Sequence, residues 1–356
     1  MTQLNARQQK VLWATIRHYV STAEPVGSKA LIEAYGLKVS AATVRNTMGI
    51  LERSGLLYQP HTSAGRVPSD SGYRLYVDQL IQPSKPVAQQ VDRALATRLD
   101  WQGRSLDGLL REASKILAAL SGYVALVTMP TVDATRLRHV QLVQVADCQV
   151  LLVVVLDGNS TESVLIRLPG QVVGLTEPAD LDRQLQILSN FLTAQLCGQT
   201  LAAIATLNWD ELDAAFQCYA ATLQTAMADL SQRLRQAQIA ISGLAEVISQ
   251  PEFSERDQVR NLLSLLEDGP TQLTPLFQVE PDPKVGAPSP LQIWIGSENP
   301  LAPMQTCALI SSTYGRDDTP RGNVGVLGPT RMLYENAIAA VEATANYLTD
   351  AMVQAA

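Results

Sequence analysis

The sequence predicts a multidomain α+β protein, with a mainly helical head that ends in a hairpin and a mixed α/β body that carries a helical insertion. Apolar residues recur at helical spacing through the first 81 positions, apart from one segment rich in turn residues. Beyond the head, β-rich segments fall into two groups with a helical block between them. That order favours one mixed domain interrupted by a subdomain.

Size and composition indicate a globular chain of two or three domains. The chain has 356 residues, of which 46% are hydrophobic and 17% charged. Its longest unbroken apolar run, 150–156, is far shorter than the ~20 residues that a membrane helix needs. Residues 1–10 are polar and lack the apolar core of a signal peptide. We therefore expect a cytoplasmic protein that makes no contact with membranes.

Charge is distributed unevenly along the chain. Residues 1–85 hold ten Lys/Arg and five Asp/Glu, a net charge of +5. The remainder holds seventeen and twenty-nine, a net of −12, which gives −7 for the whole chain. A basic head on an acidic body suits a nucleic-acid-binding domain joined to a body that does not bind nucleic acid.

The four cysteines do not suggest a metal or redox site. They lie far apart and form no C-x-x-C pair; they are Cys148, Cys197, Cys218 and Cys307. We interpret them as small core residues, and expect neither a metal nor a cofactor.

Three helices are predicted at the start of the chain, over Asn5–Ser21, Lys29–Tyr35 and Ala41–Arg53. Asn5, Ser28 and Ser40 are the expected N-caps, and Gly36 is expected to end the second helix. The short connection between the last two helices matches the helix-turn-helix plan.

A hairpin is predicted after the third helix. Leu56–Tyr58 favours a strand, Gln59–Pro68 is rich in turn residues, and Tyr73–Ile81 predicts a further helix. A strand, a basic loop and a returning strand form a wing, so residues 1–82 are predicted to be a winged helix-turn-helix DNA-binding domain.

The third helix carries the candidate base-reading residues. Val44, Thr47, Met48 and Leu51 share a face that is expected to pack inward. On the other face, Arg45 can donate two hydrogen bonds to guanine and Asn46 can pair with adenine. The remaining candidates there are Ser40, a cap that can also touch phosphate, the small residue Ala41, and Thr43, which suits a phosphate or a thymine methyl.

The predicted wing carries candidate phosphate donors, namely His61, Thr62, Ser63 and Arg66, and the last of these can also reach the minor groove. Each assignment has a plain alternative. The helix face is otherwise a solvated surface, and the wing an ordinary surface hairpin.

The rest of the chain divides into a predicted linker or connecting helix over 83–104, a mixed domain over 105–174 and 251–356, and an inserted subdomain over 175–250. Within the mixed domain we expect a turn at Gly325–Pro329 and a terminal helix at Thr330–Met352. A structural role is expected for Gly325, Gly328 and Pro329, since the glycine-rich segment lacks a Walker lysine.

Five segments of this chain resemble the HrcA family of heat-inducible repressors of bacterial chaperone operons. They are 24–28 (EPVGS), 40–46 (SAATVRN), 60–68 (PHTSAGRVP), 295–300 (IGSENP) and 325–332 (GVLGPTRM). They lie at both ends of the chain and in the family's order. The family often has an acidic residue where this chain has Thr47, and Gly49 also departs from its pattern, so the finer operator preference stays open.

The resemblance implies a homodimer that binds an inverted repeat, the CIRCE element, upstream of chaperone operons. It also implies a GAF-like domain interrupted by a dimerising insertion. The GroEL chaperonin is implied as a partner that keeps the repressor active. Heat would occupy the chaperonin with unfolded clients, and the repressor would lose this support.

The insertion is the expected dimer contact. Its apolar stripes at helical spacing are Leu181, Leu185, Leu188 and Leu192, followed by Leu223, Met227 and Leu230. The alternative is that these stripes face the subdomain's own core. A dimer suits DNA binding because two linked heads match two half-sites.

The sequence leaves three other functions to consider. An enzyme is disfavoured because His18, His61 and His139 have no recognisable catalytic partners. A ligand-sensing regulator that uses the GAF-like domain is the main alternative. The remaining one is an adaptor whose winged helix binds protein, against which the basic head argues.

Overall fold

A computed structural model gives the fold. It describes residues 4–62, 64–99, 106–129, 136–146, 149–156, 161–167, 178–200, 203, 207, 214–235, 239–245, 250, 260, 263–266, 273, 291–315 and 322–355. Among these residues, no helix is both long enough and apolar enough to cross a membrane.

The head contains four helices and a two-stranded ladder. These are α1 Ala6–Thr22, α2 Ser28–Tyr35, α3 Ala41–Arg53, β1 Leu57–Tyr58, β2 Val67–Pro68 and α4 Asp70–Gln79. The side chain of Asn5 accepts a hydrogen bond from Gln8 N at 3.0 Å, and the Gln8 side chain returns one to Asn5 N at 2.9 Å, forming a capping box. Gly36 ends α2 with a left-handed backbone, φ +57°. Both boundaries confirm the predictions.

One predicted cap is wrong. Ser28 is the first residue of α2 and is buried, and Gly27 occupies the N-cap position without a side-chain bond. A serine hydroxyl suits the N-cap position, but here the helix begins one residue earlier than predicted, at Ser28 itself.

The rest of the chain continues as α5 Lys85–Arg98, α6 Leu106–Ser121, β3 Val124–Thr128, β4 Leu137–Ala146, β5 Gln149–Leu156, β6 Thr161–Arg167, α7 Pro178–Leu196, α8 Ala214–Arg235, β7 Ile239–Ser242, β8 Leu291–Ile295, β9 Cys307–Tyr314, β10 Gly322–Pro329 and α9 Tyr334–Ala355. Two short 3-10 turns, Gly296–Glu298 and Ala302–Met304, follow β8. The chain is therefore a mixed α/β protein.

The body is built on a five-stranded antiparallel sheet in the order β7-β3-β10-β9-β8. Helices α6 and α9 contact each other and lie on this sheet. Helix α5, in the predicted linker 83–104, packs against α9 and α6 and buries Val91 and Leu95 completely. It is therefore an integral part of the body rather than a free connection.

The second sheet belongs to the insertion. Within the described residues, strands β4, β5 and β6 pair with one another and with no strand of the main sheet, and they enclose a separate core with α7 and α8. The sequence predicts residues 105–174 in the mixed domain and 175–250 in the insertion. The pairing instead groups 137–235 as the inserted unit and gives β7 to the main sheet. Strand sequences do not reveal which sheet a strand joins, so the predicted boundary at 175 is wrong.

The predicted turn at Gly325–Pro329 is also wrong, because these residues form the second half of β10, between β3 and β9. Two glycines in this strand lie too close to neighbouring atoms for a larger residue. A Cβ at Gly325 would lie 2.7 Å from Ile310 O, and one at Gly328 would lie 2.6 Å from the Tyr123 ring. The expected structural role of the glycines is thus accounted for, and α9 begins at Tyr334 rather than Thr330.

Candidate nucleic-acid interface

Helix α3 is anchored in the head by one buried face. Val44, Met48 and Leu51 are buried there against α1 and α2. Thr47 lies on the same face, and its Oγ1 donates to Thr43 O at 2.9 Å. Because the Thr47 hydroxyl donates to the backbone carbonyl one turn earlier in the helix, this polar side chain is tolerated in an apolar face.

The start of α3 is fixed by Ser40. Its exposed hydroxyl accepts a hydrogen bond from Thr43 N at 3.1 Å and lies 2.9 Å from Thr43 Oγ1. This confirms Ser40 as the cap, a role worth about 1 kcal/mol. Both hydroxyls are engaged with each other at the helix N-terminus, and Ala41 beside them is small and half-buried. Ser40 and Ala42 are exposed, so the positive end of the helix dipole faces solvent.

Arg45 and Asn46 are exposed on the opposite face of α3. Neither side chain forms a hydrogen bond or an ion pair with any residue in the described part of the chain. A guanidinium and a carboxamide side by side in solvent provide five and two donor hydrogens respectively for an external acceptor.

The hairpin beside α3 is short and held by its own side chains. Leu57 pairs with Pro68 and Tyr58 with Val67. Gln59 Nε2 donates to Thr62 O and to Ala64 O, each at 2.9 Å, and so ties the loop together. His61 and Thr62 are exposed on the loop, as their predicted role requires, and Ser63 lies outside the described residues.

Arg66 is engaged within the head. Its guanidinium pairs with Glu52 of α3, with Nε and Nη2 each 2.9 Å from the same carboxylate oxygen. Its backbone exchanges two 2.9 Å hydrogen bonds with Val26. Sequence reasoning missed both contacts. The signal for the backbone contact was Gly65, since glycine allows two backbones to approach closely. A Cβ at this position would lie 2.6 Å from Pro25 O.

The predicted dimer stripes occupy the interior of the insertion. All seven residues are buried in a single chain, in the core that α7 and α8 form with the three-stranded sheet; they are Leu181, Leu185, Leu188, Leu192, Leu223, Met227 and Leu230. The interpretation of these side chains as the dimer contact is therefore corrected, and the alternative of an internal core is what the structure shows. Periodicity identifies a buried face but not what buries it.

Comparison with known proteins decides the family. The model for the HrcA protein C-terminal domain matches residues 107–338. The heat-inducible transcription repressor HrcA of Anabaena sp. (strain L31) is 52% identical over 352 residues, covering 98% of this chain and 99% of that protein. The chain belongs to the HrcA family. This confirms the resemblance seen in the five segments, and the family is one of heat-inducible transcription repressors, not of enzymes.

Other HrcA relatives match equally fully. The protein of Cyanothece sp. is 53% identical over 363 residues, and that of Synechococcus elongatus is 52% identical over 355 residues, each with 99% of both chains covered. A solved structure described as a hypothetical protein has a TM-score of 0.65 at 20% identity and covers 99% of this chain and 100% of that one. The likeness extends over the head, the body and the insertion, so the overall fold is shared with an experimental structure.

Proposed function

We propose that this chain represses chaperone operons by binding, as a dimer, an inverted-repeat operator of the CIRCE type through a winged helix-turn-helix. The observation that carries the proposal is the position of Arg45 and Asn46. They are exposed and unpaired within the described residues, on a helix whose opposite face is locked into the core of the head.

In this proposal the N-terminal half of α3 enters the major groove, as recognition helices do. Arg45 donates to the O6 and N7 acceptors of a guanine, and Asn46 pairs with N6 and N7 of an adenine. Ala41 lets the backbone approach the DNA, while Ser40 and Thr43, already bonded to each other, present the helix N-terminus to a phosphate.

The hairpin steadies the head on the sugar-phosphate backbone. His61, Thr62 and Ser63 are the proposed phosphate donors. Arg66 has a different proposed role from the one expected, because Glu52 already binds its guanidinium. We assign it to holding the hairpin at a fixed angle to α3, so that base and backbone contacts form together.

The dimer contact is proposed on the outer face of the three-stranded sheet. Strand β5 is apolar on both faces, yet only Val150, Leu152, Val154 and Leu156 are buried by the insertion's own helices. On the other face Val143, Leu151 and Leu165 form one cross-strand row, with Val143 and Leu165 exposed. Strands apolar on both faces are normally covered on both, and a second copy of the chain would cover this one.

Family resemblance alone supports two further parts of the proposal. The body is assigned as GAF-like, and the GroEL chaperonin is the partner that maintains repression. Footprinting on the organism's own chaperone promoters, with and without chaperonin, tests the second part, since added chaperonin is expected to extend protection at the inverted repeat.

A matched pair of arginine variants tests base recognition. Arg45 and Arg53 are both exposed on α3, at its N-terminal and C-terminal ends. Arg45→Ala is expected to weaken operator binding by roughly 10- to 100-fold, since a bidentate base contact gives about 1–3 kcal/mol of discrimination. Binding to unrelated duplex DNA should change little. Gel shifts at fixed salt measure both.

Arg53→Ala is the control, because it removes the same charge from the same helix. It is expected to leave the ratio of operator to unrelated DNA affinity unchanged. Equal losses of that ratio in the two variants, or none in Arg45→Ala, would overturn the assignment of α3 as the reading helix.

A further inference from the structure

The segment that follows β8 contacts α4, the last helix of the head. Ser297 donates to Asp70 Oδ2 from its backbone N at 2.9 Å and from its Oγ at 2.8 Å. Arg74, one turn further along α4, pairs through two nitrogens with both carboxylate oxygens of Glu298. It also donates to Ile293 O at 2.6 Å. Five polar contacts thus join one face of α4 to the body.

This segment, 295–300, is shaped for the contact. Gly296 adopts φ +54°, and a Cβ there would collide with the Asp70 carboxylate. Asn299 is buried, and its Nδ2 donates to the carbonyls of Gly296, Met304 and Cys307 at 2.9–3.0 Å. The amide fixes the turn from within, while Gly296 allows it to approach the head closely.

A second set of contacts comes from the start of α9 and the residues just before it. Arg331 Nη1 donates to Val20 O at 2.7 Å, in the last turn of α1. That turn contains no basic residue of its own, so Arg331 supplies the charge that a helix C-terminus favours. Glu335 pairs with Arg17 of α1 at 2.7 Å and accepts a hydrogen bond from Tyr76 of α4 at 3.4 Å.

Apolar packing runs between these two polar sets. The rings of Tyr73 on α4 and Tyr334 on α9 lie 5.8 Å apart, and both side chains are buried. The buried residues of the head and the body form one continuous core. Helix α3, in contrast, packs on α1, α2 and β1, so its outer face stays clear of this joint.

The charges at the joint stabilise each other. Burial alone would raise the pKa of Glu298, but hydrogen bonds from Arg74 and from Ile295 N outweigh it and hold the pKa below its usual value. The same hydrogen bond raises the pKa of Arg74. Both shifts favour the charged form of each group, so the ion pair is stable at neutral pH.

We propose that Asp70 and Arg74 on the head, with Ser297 and Glu298 on the body, are positioning residues for operator binding, a role that rests on the function proposed above. They hold each head at one orientation on its body and thereby set the separation of the two recognition helices in a dimer. This assigns a role to segment 295–300, which contacts α4.

The physical argument concerns effective concentration. When one head has bound its half-site, the other head has an effective concentration at the second half-site. That concentration depends on how narrowly the linkage confines the second head. A rigid joint confines it to the spacing of the true operator and penalises other spacings. A loose joint reduces the affinity that the second head adds on the true operator. It also reduces the loss of affinity on operators with other spacings.

Glu298→Gln tests the joint, with Asp92→Asn as a control that removes one charge from an exposed position on α5. Three duplexes are compared: the operator defined by footprinting, a single half-site, and an operator with two base pairs added between half-sites. Glu298→Gln is expected to bind the operator about tenfold more weakly. It should bind the half-site as the unaltered protein does, and lose less on the lengthened operator. Asp92→Asn should match the unaltered protein on all three.

Amide hydrogen exchange accompanies the binding measurements. Faster exchange of peptides containing Ser297 and α4 is expected in Glu298→Gln and in a second variant, Asp70→Asn. Unchanged exchange in both variants, equal losses on operator and half-site, or an unchanged spacing penalty would each overturn the proposal. If the unaltered protein does not select the operator at all, the proposed function itself fails, and that outcome is visible before any variant is measured.

Discussion

The head and the insertion are attached to the body in opposite ways. The head shares the body's hydrophobic core and adds polar contacts at α1 and α4. The insertion encloses its own core and its own sheet. A region that shares a core cannot move without exposing apolar surface, whereas a region with its own core can move as a unit.

The connection of the insertion explains its independence. It leaves the main sheet after β3 and returns to it at β7, and Thr128 at the end of β3 pairs directly with Ile239 at the start of β7. The inserted unit therefore occupies the position of a hairpin loop between two adjacent strands. We infer that the head is positioned by the body, and that the insertion is free to serve association between chains.

Removing the insertion should have the largest effect. Replacing residues 130–237 with Asn-Gly, a sequence that favours a two-residue hairpin, is expected to leave the head and body folded. The product should be a monomer and should lose about 10²- to 10⁴-fold in affinity for the full operator, while its half-site affinity is retained. Light scattering and gel shifts check this. A truncated protein that remains a dimer would contradict the division of roles.

Two matched core variants test whether the regions unfold separately. Leu95 on α5 and Leu188 on α7 are both fully buried, one in each core. Replacing either by Ala is expected to cost about 2–5 kcal/mol of unfolding free energy in its own region. Hydrogen exchange should therefore quicken across the head and body for Leu95→Ala, and only within 137–235 for Leu188→Ala. Loosening of both regions by either variant would show one cooperative unit.

The smallest effect is expected from surface changes on the insertion. Leu165 is 54% exposed on the outer face of the sheet, and Ile187 is 44% exposed on α7. Leu165→Glu should weaken dimerisation about tenfold or more, because a buried charge is placed in an apolar contact. Ile187→Glu should leave it unchanged. The reverse result, in sedimentation equilibrium, would move the dimer contact to the helices.

Much of the head could be predicted from its sequence because its signals are local. Asn5, Ser40 and Gly36 define helix ends through bonds to residues three or four positions away. The spacing of Val44, Met48 and Leu51 predicted which face of α3 is buried, and so which face displays Arg45 and Asn46. The pairing of Arg66 with Glu52 was not predicted because the two residues are fourteen positions apart.

The body was predicted less well because its decisive contacts are not local. Gly325–Pro329 has the composition of a turn, yet it is held as a strand between β9, which directly precedes β10 in the chain, and the distant strand β3. Leucines at helical spacing on α7 and α8 indicated a buried face, and only the adjacent sheet shows that the partner is internal. Segment 295–300 was recognisable as a motif, but its contact with α4 spans more than 220 positions.

The helices of the head, the residues displayed on α3 and membership of the HrcA family can all be predicted from the order of the residues, since capping, periodicity and sequence identity are properties of one chain. The folded chain is needed to show which sheet each strand joins, that the leucine stripes are internal, and that the head contacts the body through Asp70 and Arg74. Such choices depend on free energies of contact between distant segments, which the order of residues does not display.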